Sequence, residues 1–354
     1  MKKVLFWGRF DPGYSRNRVA AQMFRDLGWE VEYFFVKAWP RFGDVEAALR
    51  RVRTPDLVWV PVCRQRDILA ACRWAHRRGV KVVFDPMISA WDKKVLEQRK
   101  WKAGEPRAKK LLKLETKMMN APDFVTWDTS CHVDFAVRTF GVPREKMQEV
   151  YTGTDEKVFT PQPPAPPAAD GRFRVLYHGA YLPLHGTEFL VEAARRTQHL
   201  PIVWSFLGWG AYKAQTEALA AGLPNVRFLE KVPYVKVPEV IGAHDVVVGV
   251  FGTTEKASRV IGNKVFECMA CARPTINEFC TGYPESAKTC EAIKFVPPGD
   301  ADAIVRAVEE YRAAWPEKGA EYCRAARDFF ERELSMETCR RQLAQVLEKV
   351  LGAK

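Results

Sequence analysis

No apolar run in the chain approaches the ~18 residues that a membrane-crossing helix requires. The longest, LVWVPVC (57–63) and DVVVGVF (245–251), have the length of strands. The opening MKKVLFWGRFDPG offers only five apolar residues after its lysines. That is too few for a secretory signal and reads as a first strand. G-x-G-x-x-G, the dinucleotide fingerprint, is absent. Cys268 and Cys271 stand alone as a C-x-x-C pair, with no second pair and no H-x3-H to complete a four-ligand zinc site. Their i, i+3 spacing puts both on one helix face, where free cysteine behaves as a small core residue. Nine cysteines without a secretory signal fit a reducing cytoplasm. A nucleic-acid-reading module or an aromatic-rich single-strand platform is also missing, so nucleic acid is not an expected partner.

What is present is positive charge. Lys and Arg number 55 against 43 Asp and Glu, a formal net charge of +12 over 354 residues. The balance suits an anionic partner, nucleotide or acidic lipid, and equally a solvated basic surface. Hydrophobic residues at 47% and charged residues at 28% describe a globular chain, and the length suggests two domains.

Apolar runs of strand length alternate with helical patterns. KVLFWG, VEYFFV, DLVWVPV, KVVFDP, DFVTWD and QEVYTG come first; FRVLYHG, IVWSFLG, VRFLEKV, DVVVGVF, PTIN and IKFVP follow. This is the pattern of α/β domains built on parallel sheets, whose strands are buried on both faces and need not alternate. Between the two series lies TPQPPAPPAADG (160–171), with five prolines in twelve residues, an extended linker by composition. The expected organisation is a first doubly wound domain over 1–159, the linker, and a second over 172–334. The last helical stretch, 335–354, has no strand after it and is expected to pack back on the first domain. Ligands of such sheets bind beyond the carboxyl ends of the strands, so two domains facing each other make a cleft.

Three loops after strands carry chemistry. GRFDPGYSRNR (8–18) has Gly8 and Gly13 for tight turns and a helix start near Ser15, a place to hold an anion or a carbohydrate hydroxyl. YHGAYLPLHGTEFL (177–190) sets Gly179 at a strand end and leads through His185 and Gly186 into a helix. Backbone N–H groups there can cradle a diphosphate, with His185 as an added donor. FGTTEKASRVIGNKVFECMACARPTIN (251–277) brings Lys256, Arg259 and Lys264 to the turn Gly262-Asn263 at a helix start. Cations and helix dipole converge there on an anion, and Glu267, one turn in, can accept two ribose hydroxyls.

NKVFECMACARPTI, VYTGTDEKVFTP, HGAYLPLHGTEFLVEAA and VPYVKVPEVIGAHDVVVGVF resemble glycosyltransferase family 4, and FDPMISAWD and DTSCHVDFA resemble one branch of it. The resemblance covers nearly the whole chain and implies a GT-B fold of two Rossmann-like domains. It implies retaining, metal-independent transfer from a nucleotide-diphosphate sugar, with UDP or GDP the expected nucleotide and no resident cofactor. It makes the first domain the acceptor domain and the second the donor domain. On the cations of this loop, Lys264 and Arg259 are expected to stabilise the leaving diphosphate. Glu267, Asn263, Gly262, Lys256, Gly179, His185 and Gly186 are expected to bind the donor. Two positions depart: the first glutamate of the family's Glu-x7-Glu pair is Arg259, and its Arg and Lys at the donor-domain opening are Ala180 and His185. These departures keep a second reading open, a sugar-nucleotide-binding or scaffold protein whose catalysis has decayed.

Acceptor candidates are Arg16, Asn17, Gly13, Asp85 and Asp92, with a buried Asp85–Arg salt bridge as the competing reading. The segment 91–117 holds ten Lys or Arg against four acids, interleaved with leucines, Trp91 and Trp101. It reads either as a basic amphipathic surface for an anionic membrane, suited to a lipid-linked acceptor, or as a surface for a glycan, or as a solvated helix face. The expected location is cytoplasmic, peripheral to the membrane.

Overall fold

The computed structural model describes residues 1–166 and 168–352; Pro167 of the proline-rich stretch and 353–354 of the final segment lie outside the described residues. The chain divides into two compact units, Met1–Gly153 with Met336–Lys354, and Thr154–Ser335.

The first unit holds a parallel sheet of β1 (Lys3–Gly8), β2 (Glu30–Phe35), β3 (Leu57–Val60), β4 (Lys81–Phe84), β5 (Phe124–Trp127) and β6 (Met147–Glu149), in the order β2-β1-β3-β4-β5-β6. Its helices are α1 (Ser15–Asp26), α2 (Gly43–Leu49), α3 (Gln65–His76), α4 (Pro106–Asn120) and α5 (Ser130–Phe140). Strands such as LVWV are buried at every position because both sheet faces are covered. One face carries a core of Trp7, Phe34, Val58, Trp74 and Val82, closed by α2 to α5. The hydroxyl of Thr129 starts α5 by accepting from His132 N, and Gly141 at φ 61° ends it.

The second unit repeats the plan with β7 (Phe173–Ala180), β8 (Ile202–Trp209), β9 (Val226–Leu229), β10 (Val246–Val248), β11 (Thr275–Glu278) and β12 (Ile293–Val296), all parallel, in the order β12-β11-β10-β7-β8-β9. Its helices are α6 (Thr187–Arg196), α7 (Lys213–Leu219), α8 (Val237–Gly242), α9 (Asn263–Ala270) and α10 (Ala301–Phe329). The final helix, α11 (Met336–Leu351), lies with the first unit against α1. Gln148 Nε2 donates to Gln342 O at 3.2 Å and Gln345 Oε1 at 2.9 Å, and Tyr151 N donates to Gln342 Oε1 at 2.9 Å.

The proline-rich stretch is pinned where it leaves Thr160. The buried Arg273 guanidinium donates to the carbonyls of Gln162 (3.3 Å), Gly242 (2.7 Å) and His244 (3.0 Å), and to that of Pro163. The linker therefore begins as part of the second unit's surface.

The segment 91–117 is not one continuous helix: a π-helical turn at Asp92–Glu97 precedes the separate α4. Trp91 and Val95 sit in the core, and Leu96, Trp101, Leu111 and Leu112 pack against it. Trp101 is held between Lys94 Nζ at 4.4 Å and the Arg107 guanidinium at 5.0 Å. Its aromatic and most of its leucine surface is thus spent on the unit's own core, and the outward remainder is basic.

Candidate functional site

In each sheet the chain reverses its direction of growth once, between β1 and β3 and between β7 and β10. Loops on either side of such a point diverge and leave a crevice at the carboxyl ends of the strands. The predicted site residues cluster at these two places.

At the β7/β10 point the loops Tyr181–Gly186 and Gly249–Gly262 meet backbone to backbone. Phe251 N donates to His185 O at 3.2 Å and Gly252 N to Leu184 O at 3.0 Å. Gly186 has φ 61°, and a Cβ there would lie 2.7 Å from the Phe251 carbonyl carbon, so only glycine permits the contact. Behind it, Lys264 enters from the first turn of α9. Its Nζ donates to Gly249 O at 3.2 Å and stands 4.0 Å from the centroid of the Tyr177 ring. Gly179, at φ 131°, lies alongside it, its Cβ position 3.6 Å from Lys264 Nζ and 3.9 Å from His185 Cε1. The amine is buried, and burial pushes it down to about 7. A half-charged ammonium under a bare strand end is a group waiting for an anion.

His185 is turned differently from the donor role expected of it. Its Nδ1 lies against Ala180 O and 2.8 Å from Tyr177 Oη, which itself donates to Ala180 O at 2.7 Å. A carbonyl accepts only, so Nδ1 carries the proton and Nε2 is left as an acceptor. Burial, then the charge of Lys264, hold this ring well below its usual value. The ring is neutral, and Nε2 has no proton to give a phosphate.

Helix α9 starts at Gly262 and Asn263 with no side-chain cap, so its first N–H groups keep their dipole for a ligand. Glu267 lies one turn further on and is half-buried, its Oε2 3.7 Å from His178 Nδ1. That contact is no ion pair, because burial drives His178 down to about 3. Instead the His178 Nε2 accepts from the Cys268 thiol at 3.2 Å. Both Cys268 and Cys271 are buried and their thiols pushed up by burial, that of Cys271 to about 12. They pack the helix. Lys256 is buried within electrostatic reach of His185. Arg259, also buried, donates from Nη1 to Glu255 Oε1 at 2.8 Å, and that carboxylate is 58% exposed.

Two features of the second unit escaped the sequence reading. Glu278, at the end of β11, is 6% exposed with no hydrogen-bond partner at Oε2, and burial raises its carboxyl to about 7. The D-x-D triplet Asp300-Ala301-Asp302 resembles a divalent-ion motif but is structural. Asp300 caps α10 by accepting from Ala303 N at 2.9 Å, and Asp302 pairs with Arg196.

At the β1/β3 point Arg16 and Asp85 form a buried pair, Nε to Oδ2 at 2.8 Å and Nη2 to Oδ1 at 3.3 Å, each side chain 1% exposed. Arg16 also donates to Tyr151 O. Of the two readings held open for Asp85, the salt bridge is the one present. Gly13 N donates to Asp11 Oδ1 at 2.8 Å and Asn17 Nδ2 to Asp11 O at 2.9 Å, which fixes the loop. Asp92 lies apart, in the turn held by Ser89 and Glu115. Beside Arg16 stands a pair the sequence did not signal: His132 Nδ1 lies 2.6 Å from Asp128 Oδ1, its ring stacked on Trp127. Burial works against the Asp128 carboxylate, but His132, Arg16 and a backbone N–H together outweigh it and the carboxyl lies below its usual value.

Residues 172–313 match the family described as Glycosyl transferases group 1. No curated protein matches the chain. Among solved structures, HepE from Anabaena in complex with UDP and glucose is 14% identical with a TM-score of 0.69, over 98% of this chain and 99% of that one. Sucrose-phosphate synthase from Thermosynechococcus elongatus is 16% identical with a TM-score of 0.73, over 100% of both chains. The lipopolysaccharide outer core galactosyltransferase WaaB in its apo form is 14% identical with a TM-score of 0.68, over 98% and 99%. The fold is GT-B, two Rossmann-like domains in one chain.

Proposed function

We propose that the chain transfers a sugar, with retention at the anomeric carbon, from a nucleotide-diphosphate sugar to a hydroxyl of a glycan or lipid-linked acceptor. The observation that carries this reading is Lys264, a buried amine held under the bare strand end at Gly179 beside the uncapped start of α9. In the transfer, negative charge grows on the departing phosphate. The Lys264 ammonium and the first N–H groups of α9 meet it where water is excluded. Lys256 and Arg259 add positive charge, so this chain's own cations do the work that a divalent ion does elsewhere. Glu267 accepts the two ribose hydroxyls, and His185, neutral, offers Nε2 as an acceptor to a donor hydroxyl. The acceptor hydroxyl attacks on the face the phosphate leaves, and its proton passes to the leaving phosphate oxygen.

UDP is the first nucleotide to try, since HepE was solved with it, and GDP the second. The acceptor is assigned to the first unit, along the loops that carry Gly13, Arg16 and Asn17. The protein is placed in the cytoplasm, at the inner membrane face. The test is transfer from a panel of nucleotide sugars to glycan and lipid-linked acceptors, following nucleoside diphosphate release and the anomeric configuration of the product. Retained configuration and loss of release in Lys264→Met support the reading. Arg259, in place of a glutamate, favours one alternative, a binding protein without turnover. Nucleotide binding with no release across the panel would point to it.

A further inference from the structure

The first unit holds a titratable pair that the proposed transfer does not use. Asp128 follows the carboxyl end of β5 and Asp85 that of the neighbouring β4, so both carboxylates stand at the ligand end of the sheet. Arg16 neutralises Asp85. Asp128 instead holds His132, its Oδ1 2.6 Å from Nδ1, and this carboxylate is 8% exposed. A carboxylate accepts only, so Nδ1 carries the proton and, in the neutral ring, Nε2 is an acceptor. His132 N donates to Thr129 Oγ1 at 3.3 Å, and Trp127 stacks on the ring at 5.2 Å and 19°. The imidazole is fixed in position, plane and tautomer.

Its second nitrogen is left over. Nε2 has no hydrogen-bond partner among the described residues, and unlike Thr126 Oγ1 and Trp59 Nε1 it is not sealed from solvent. Burying a carboxylate is costly, and a leucine would pack against Trp127 without one. An imidazole that a buried carboxylate orients, with the opposite nitrogen open, is arranged for something outside the chain. Charge and proton count say what it takes. One guanidinium, Arg16, faces the two carboxylates, which opposes a phosphate or carboxylate and favours a neutral donor such as a hydroxyl. The attacking hydroxyl of the acceptor has a single proton and gives it to the leaving phosphate oxygen. Nε2 must therefore accept from a different hydroxyl.

We propose that Asp128 and His132 form an acceptor subsite, in which His132 Nε2 accepts a hydrogen bond from a second hydroxyl beside the one that attacks. The acceptor at this point is a sugar ring or polyol with neighbouring hydroxyls, rather than a lone alcohol or a phosphate. Asp128 is a positioning residue that acts through the ring. The role in transfer rests on the transferase reading; binding of a hydroxyl compound does not, and is measured without turnover.

The test is long-range 15N–1H NMR of the six imidazoles of the full chain at about pH 8. The probes are methyl α-glucopyranoside, methyl α-galactopyranoside, methyl α-mannopyranoside and glycerol, with 1-butanol as the lone-alcohol control. His132 should show the Nδ1–H tautomer, and at least one probe, but not butanol, should shift its Nε2 resonance. His132→Asn keeps an N–H for Asp128 and removes Nε2. Affinity for that probe, followed at the Trp127 indole N–H, should fall about tenfold in it, with the melting temperature close to that of the parent. His132→Gln, which sets an amide oxygen near the place of Nε2, should recover part of the loss. Asp128→Asn should mix the two tautomers and weaken binding in step, which a purely structural carboxylate would not do. An Nε2–H tautomer in the parent, no shift with any probe, or equal affinity in His132→Asn overturns the proposal. Probe binding without nucleoside diphosphate release from any nucleotide sugar would keep the subsite and remove the transferase reading. Release that is lost in Lys264→Met, with no shift at His132, would do the reverse.

Discussion

Lys264 Nζ sits 4.0 Å from the centroid of the Tyr177 ring, with Gly249 O its acceptor at 3.2 Å. A cation over a ring face is held in place by that ring and by one carbonyl. The consequences of that arrangement are measurable.

Lys264→Met keeps the stem and removes the charge. Because a buried amine costs stability, the variant should melt at or above the temperature of the parent protein. Transfer should fall by about 10²–10³ in kcat, the loss typical of one transition-state donor. Steady-state kinetics with a melting curve separates this from misfolding.

Affinity for a nucleoside diphosphate should fall as pH rises above 7. The free amine titrates near 7. A bound diphosphate favours the charged form and raises that value, so binding above 7 takes up a proton. Kd measured from pH 6 to 9 should rise by up to about tenfold per unit above 7, and stay flat over that range in Lys264→Met.

Gly186→Ala should separate the two donor loops. The position has φ 61° and a Cβ there would meet the Phe251 backbone at 2.7 Å. A destabilisation of roughly 1–3 kcal/mol is expected in denaturant titration, with weakened nucleotide binding.

The Arg16–Asp85 pair should behave as a unit. Arg16→Met alone strands a buried carboxylate and should cost about 3–5 kcal/mol, while Arg16→Met with Asp85→Leu should recover most of that. Urea unfolding of the singles and the double completes the cycle.

Glu278 predicts a pH slope of opposite sense to an ordinary carboxylate. Its folded value, about 7, lies above the usual 4.5, so the folded state holds the proton longer than the unfolded one. Stability should fall as pH rises from 4.5 to 7, by up to about 3 kcal/mol from this group. In Glu278→Gln that part of the slope should vanish.

The runs read as strands fall on the strands of the described residues except at β6, Met147–Glu149, which QEVYTG only overlaps, and central strands such as β3 are written continuously because both their faces are covered. The two loops that meet at the β7/β10 point were legible too, since Gly179, Gly186, Lys264 and Glu267 lie close to one another along the chain or at strand ends. Contacts made across the sheet were hidden. Tyr177 beneath Lys264, the tautomer of His185 set by Ala180 O, and the empty second oxygen of Glu278 depend on which residues the fold brings together. Periodicity gives the spacing of an apolar face without saying what that face meets: in 91–117 it is the unit's own core.

The most direct measurement is calorimetric titration with UDP, GDP, ADP, dTDP and CMP, repeated on Glu267→Ala. One nucleoside diphosphate should bind tightly and lose that affinity in the variant, because the ribose would lose its acceptor. Absence of binding by all five, or binding indifferent to Glu267→Ala, would contradict the assignment of the β7/β10 crevice as the donor site.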